Sequence, residues 1–207
     1  MQNPSDINAV NHALGRGDVV LLPTETVYGL AADAQHNAAV EAIYRLKGRN
    51  FNKPIAICVR SPAHAKDLVK WSPTAQALSD LFWPGPLSLV LPAQDNLNLD
   101  PRLFGRFSNG APSLSLRFPE TDWISHITTN YLALTSANRS GDPDSTTHAE
   151  AHDIFGAHIG ASYDGGDSNI GTPSTILALE ETGVRLLRAG ALSAEHFAPL
   201  DLNWISS

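Results

Sequence analysis

The sequence predicts an α/β domain built on a mixed, twisted β-sheet with flanking helices. Three observations lead there. Segments with apolar residues at helical spacing alternate with short apolar runs bounded by turn residues. Two such runs, Thr175–Leu179 and Val184–Arg188, flank Glu180-Glu181-Thr182-Gly183, a hairpin pattern that argues against a purely parallel sheet. The 207 residues are 43% hydrophobic, enough for a core in one domain spanning residues 1–207.

The elements follow in order. A first helix is expected over Asp6–Arg16, with Ser5 as N-cap, Ile7, Val10 and Leu14 on one face, and Gly17 ending it. Val19–Leu22, stopped by Pro23, reads as a buried strand. Ala38–Leu46 carries Ala39, Val40, Ile43 and Leu46 at helical spacing, and Ile55–Val59 is strand-like. Helices are expected at Pro62–Lys70 and Pro73–Phe82, ahead of the break Pro84-Gly85-Pro86. Leu87–Leu91 and Leu114–Arg117 read as strands. Between them Gln94–Pro112 is polar and aperiodic, a long loop and a candidate lid. Ile124–Tyr131 is expected to be helical, Leu132–Thr135 a strand, Ser136–Thr147 a turn-rich connector and His148–Phe155 a helix.

Composition removes several classes of function. No apolar run approaches the ~18 residues of a membrane span. The opening Met-Gln-Asn-Pro-Ser-Asp has neither the basic nor the apolar stretch of a secretory signal, so a soluble cytoplasmic protein is expected. A single cysteine, Cys58, excludes an internal disulfide framework and a multi-cysteine zinc site, and its apolar surroundings suit a core residue. A formal charge of −7 does not steer the protein onto nucleic acid. Yet Ala42–Lys66 has no acidic residue and holds Arg45, Lys47, Arg49, Lys53, Arg60 and Lys66. This pattern suits a small anionic ligand better than a long polyanion, or else a solvated basic helix end.

Familiar motifs are missing. There is no phosphate loop of the Gly-x-x-x-x-Gly-Lys type, and Val20 breaks the dinucleotide fingerprint that Gly15 and Gly17 would begin. The stretch Gly166–Gly171 misses a nucleophile elbow by one residue. His148 and His152 have metal-ligand spacing without a third ligand, so an exposed helix face explains them better.

Five weaker signals remain. Pro23-Thr24-Glu25-Thr26-Val27-Tyr28-Gly29 follows a buried strand, where hydroxyls can hold a small polar ligand or simply form a strand-to-helix turn. Lys47-Gly48-Arg49, with Lys53 beyond, can bring two cations onto phosphate oxygens or merely favour a helix end. Ser136-Ala137-Asn138 lies just past a strand and can grip a polar ligand. Pro173-Ser174-Thr175 with Arg188, and Arg117 at a strand end, complete the set.

Taken in order, Leu22–Leu30, Lys47-Gly48-Arg49, Asn52-Lys53-Pro54, Phe82–Pro86, Leu116–Pro119, Ser136–Gly141, Pro173–Ile176 and Leu187–Gly190 resemble the YrdC-type domain of the L-threonylcarbamoyladenylate synthases. The resemblance runs from about Val19 to Gly190. It implies a twisted mixed sheet enclosing a concave basic cavity. It also implies the reaction of L-threonine, bicarbonate or CO2, and ATP with Mg2+ to give L-threonylcarbamoyl-AMP and pyrophosphate. The product would serve the proteins that modify tRNA beside the anticodon. By the same resemblance, Lys47 and Arg49 act on the phosphates with Lys53 adding charge; Ser113, Asn138, Thr146 and Arg188 contact the nucleotide; and Thr26, Arg117, Ser136 and Ser174 contact threonine. Mg2+ would be held chiefly by ATP and water.

The chain departs from the family pattern at three places. Cys58 stands where many relatives have histidine, Ser113 replaces a common threonine, and Ala189 replaces the proline of Arg-Pro-Gly. The length resembles the short members without an additional C-terminal domain. Alternatives from other classes are an RNA-binding module on the same surface, with weak tRNA or RNA affinity, and an inactive paralogue.

Overall fold

The structure, a computed structural model, describes residues 6–206. Its helices are α1 (Ile7–Arg16), α2 (Asn37–Lys47), α3 (Pro62–Lys66), α4 (Pro73–Phe82), α5 (His148–Phe155) and α6 (Ala194–Phe197). Its strands are β1 (Val20–Leu22), β2 (Gly29–Asp33), β3 (Ala56–Cys58), β4 (Leu87–Pro92), β5 (Phe104–Arg106), β6 (Pro112–Arg117), β7 (Leu132–Ser136), β8 (Ala161–Ser162), β9 (Thr175–Glu180) and β10 (Gly183–Arg188). They form one sheet in the order β10-β9-β4-β6-β3-β7-β2-β1-β8, with β5 also paired to β6. The sheet is mixed: β3–β6, β4–β9 and β1–β8 are parallel, while β4–β6, β2–β7 and β9–β10 are antiparallel.

Period-2 alternation sets the two faces of the central strands. Leu87, Leu89 and Leu91 of β4, Leu114 and Leu116 of β6, and Leu177 and Leu179 of β9 enter the main core with α2 residues Val40 and Ile43. A second core lies at the β1–β2–β7 end, where Val20, Leu22, Ala31, Leu132 and Leu134 pack on α1 and Trp123. Residues between the leucines of β4 and β6 face the other way, and several are polar.

Helix ends follow the local chemistry. Asp6, not Ser5, caps α1, its side chain accepting from the Asn8 amide; Ser5 lies outside the described residues. Gly17 and Gly48 close α1 and α2 in the left-handed conformation, at φ 81° and 61°. Thr147 and Glu150 form a capping box on α5.

Four sequence expectations need correction. The helix begun at Pro62 stops at Lys66, because the backbone beyond is drawn to β4: Lys70 donates to the Pro92 carbonyl and Val69 bridges Ala93. Ile124–Tyr131 is not a helix. Only a 3-10 turn at Trp123–His126 forms, and Asn11 captures the chain beyond it, accepting from the Thr128 amide and donating to the His126 carbonyl. Gln94–Pro112 is anchored rather than a free loop. It holds a 3-10 turn at Pro101–Leu103 and strand β5, and buried Asp100 pairs with Arg102, which also pairs with Glu41. The segment after β1 leads into a strand, β2, whose Ala-rich sequence has weak β-propensity; pairing with β1 and β7 on both edges overrides it. The short β8 and α6 were also not foreseen.

Leu116 is fully buried on β6, between β3 and β4. Leu116→Ala is expected to lower unfolding stability by about 2–5 kcal/mol. A chemical-denaturation midpoint unchanged from the parent protein would contradict the packing described.

Candidate active site

The polar face of the central strands opens into a hollow of about 140 Å³. Its lining includes Thr26, Arg49, Cys58, Ser88, Ser115, Arg117, Ser136, Ser174 and Arg188. Pro54, Ser115 and Ile176 are shared with a wider recess of about 850 Å³ that Phe51, Phe104, Ser113 and Leu187 help to line. The origin is local. In Pro112-Ser-Leu-Ser-Leu-Arg117 the leucines go to the core, so Ser113, Ser115 and Arg117 must face the opening.

The cations come from several elements. Lys47 ends α2 and is buried, 3% exposed. Its ammonium donates to the carbonyls of Ser136 and Asn138 and to Asn138 Oδ1, the last two at 2.7 and 2.8 Å. Those acceptors match its three N–H bonds. Asn138 Oδ1 also accepts from the Ser136 hydroxyl, and Asn138 Nδ2 donates to the Asp142 carbonyl. Lys47 therefore fastens the loop after β7. Burial and the nearby Arg49 push its pKa down to about 8.

Gly48 reverses the chain, and Arg49 turns to the other wall. There its Nε and Nη2 donate to the carbonyls of Lys53 and Pro54, both at 2.9 Å. Arg188, ending β10, donates from Nε and Nη2 to the Ser174 carbonyl at 3.0 and 2.7 Å, and from Nη2 to Ser174 Oγ at 3.1 Å. Burial lowers the pKa of Arg49 and of Arg188, and Arg117 and Arg49 lower that of Arg188 further. Arg117 donates to Thr26 Oγ1 at 2.9 Å and pairs with Glu25 Oε1 at 2.7 Å, with both charged side chains about nine-tenths buried. Burial pushes the Cys58 thiol up to about 12, so it lines the hollow as a neutral group.

Of the residues singled out from sequence, Thr26, Arg49, Arg117, Ser136, Ser174 and Arg188 line one hollow. Lys47 and Asn138 lie behind Ser136, and Ser113 lines the adjoining recess. Two stand apart from the lining. Lys53 is exposed and contributes its carbonyl to Arg49. The Thr146 hydroxyl donates to Glu150 at the start of α5. The run Ala42–Lys66 is not one basic patch either. Arg45 pairs with Glu41, Arg60 donates to the Ile127 carbonyl, and Lys66 lies over Trp71. Sequence reasoning missed Glu25, Ser88 and Ser115. For the two serines the signal was a hydroxyl between leucines in a buried strand.

Among the described residues no group of three or more His, Cys, Asp or Glu side chains could hold a metal ion. No described helix is long and apolar enough to cross a membrane.

Comparison with known proteins gives three findings. The Sua5/YciO/YrdC family profile, described as "Telomere recombination", matches residues 12–190. The chain is 38% identical over 184 residues to the threonylcarbamoyl-AMP synthase of Pyrococcus abyssi and 37% identical over 188 residues to that of Bacillus subtilis. These alignments cover 86% and 88% of this chain but 52% of each relative, so the chain spans about half the length of those proteins. The crystal structure of P. abyssi Sua5 complexed with L-threonine superposes with a TM-score of 0.84 at 33% identity, covering 96% of this chain and 58% of that one.

Proposed function

Because the chain belongs to the Sua5/YciO/YrdC family, we propose that it is a threonylcarbamoyl-AMP synthase, joining L-threonine, bicarbonate or CO2, and ATP into L-threonylcarbamoyl-AMP and pyrophosphate. One observation carries the reading to this chain: Arg49, Arg117 and Arg188 converge with the hydroxyls of Thr26, Ser136 and Ser174 on a single hollow. The product would be consumed by the proteins that transfer threonylcarbamoyl to tRNA.

The chemistry asks for positioning more than for covalent catalysis. Threonine's neutral amine adds to CO2, which bicarbonate supplies by losing hydroxide, and the nitrogen releases a proton to solvent to leave a carbamate. A carbamate oxygen then attacks the α-phosphorus of ATP, and the bond to the β-phosphate oxygen breaks to release pyrophosphate. Holding the reactants in line supplies up to ~7–11 kcal/mol of such a barrier. We assign Arg117, with Thr26 and Ser174, to the threonine carboxylate. Arg49 and Arg188 would offset charge building on the phosphates. Lys47 would act through its charge and by holding the Ser136–Asn138 loop. Ser113, in the adjoining recess, suits the nucleoside side. Thr146 would reach the nucleotide only by leaving Glu150, and the exposed side chain of Lys53 only by turning toward the hollow. Mg2+ would enter as part of the ATP complex, held chiefly by the phosphates and water.

The decisive assay combines the pure protein with ATP, Mg2+, threonine and bicarbonate. Pyrophosphate and the adenylate are expected only when threonine and bicarbonate are both present; their absence removes the reading. Lys47→Ala and Arg49→Ala are each expected to cut turnover at least ~10-fold in protein that still folds, Lys47→Ala also lowering the unfolding midpoint because the acceptors it holds lose their donor. Normal turnover in both would exclude these residues from the mechanism. Arg117→Ala is expected to raise the threonine KM more than the ATP KM, and equal rises would contradict its assignment. The rate is also expected to fall as pH rises through about 8, where the folded protein's Lys47 loses its charge and one N–H donor. Lys47→Arg should lack that alkaline limb, and a limb surviving in this variant would assign it to another group.

A further inference from the structure

Ser88 sits near the start of β4 and is 2% exposed. In the ladder it lies opposite Arg117 of β6 on one side and Ile176 of β9 on the other. Its Oγ is 2.8 Å from Ser174 Oγ, its hydrogen-bond partner among the described residues.

Ser174 Oγ accepts from Arg188 Nη2 and shares a hydrogen bond with Ser88 Oγ, so a residue of β10 and one of β4 together fix it. A serine hydroxyl has one hydrogen and two acceptor sites. Both serines line the hollow, so whichever of them donates in the shared bond, the proton of the other turns into the hollow. The pair therefore offers one hydroxyl donor there, and the Arg188 guanidinium beside it favours an anion as the acceptor.

We propose that Ser88 is a positioning residue: through its hydrogen bond with Ser174 it presents a hydroxyl donor to the carboxylate of the amino-acid substrate and keeps Ser174 in register with Arg188. The proposal rests on the synthase reading and adds to it a residue that does not itself touch the reacting atoms.

Adenylate formation by Ser88→Ala and Ser88→Thr tests this, with unfolding midpoints measured alongside. Ser88→Ala is expected to raise the threonine KM at least ~10-fold and the ATP KM less than ~2-fold, while Ser88→Thr, which keeps the hydroxyl, returns the threonine KM to within ~3-fold of the parent value. A threonine KM in Ser88→Ala within ~2-fold of the parent, an equal rise in both KM values, or a Ser88→Thr variant as impaired as Ser88→Ala would each overturn the proposal. Calorimetric titration of L-threonine into the parent protein and Ser88→Ala reads the same relay without turnover. Equal affinities there sink the relay alone, whereas a parent protein that makes no adenylate sinks the synthase reading.

Discussion

A strand must send alternate side chains to opposite faces, and the character of the hollow depends on that constraint. On β4 and β6 the leucines are committed to the core, so the residues between them have no choice but the opposite face. That face carries Ser88, Ser113, Ser115 and Arg117. Slipping β6 by one position would bury the serines and Arg117 and expose Leu114 and Leu116. The large apolar penalty for such a slip is what keeps the polar face in place. The same leucines that hold the fold together thus aim the chemistry.

Crowding cations into one recess is unfavourable unless each is held and partly compensated. The protein does this with backbone carbonyls rather than a ring of carboxylates. Lys47 is held by the Ser136 and Asn138 carbonyls, Arg49 by those of Lys53 and Pro54, and Arg188 by that of Ser174. Among the carboxylates, Glu25 pairs with Arg117, and Asp144 places negative charge near Lys47 and Arg188. Carbonyl dipoles orient a cation without cancelling its charge, so the positive potential remains available to an incoming anion. Fixed donors of this kind need little reorganisation when charge develops on a bound phosphate.

Much of this was legible in the chain. The long amphipathic segments, the hairpin and the mixed sheet follow from periodicity and turn residues. The Lys47-Gly48-Arg49 and Ser136-Ala137-Asn138 signals do come together, as do Arg117, Ser174 and Arg188. What stayed hidden depends on contacts distant in sequence. β2 is a strand because two neighbours pair with it, not because Gly-Leu-Ala-Ala-Asp prefers extension. The Ile124–Tyr131 segment unwinds because Asn11 takes its backbone groups. Thr146 and Lys53 carry suitable chemistry, yet the first is held by Glu150 and the second is exposed outside the lining, which no spacing rule reveals. Glu25 lies inside a motif whose threonines carry the recognisable chemistry, and only the position of Arg117, distant in sequence, gives it a role.

Gly48 has an effect beyond ending a helix. Its left-handed backbone lets the residues on either side of it reach in divergent directions, one to the loop following β7 and the other to the loop entering β3. A single turn of chain thereby clamps two walls, at Pro54 and Asn138, that lie 84 residues apart in sequence. Both walls of the mouth are thus anchored to one helix end, and its width is set by the reach of two neighbouring side chains.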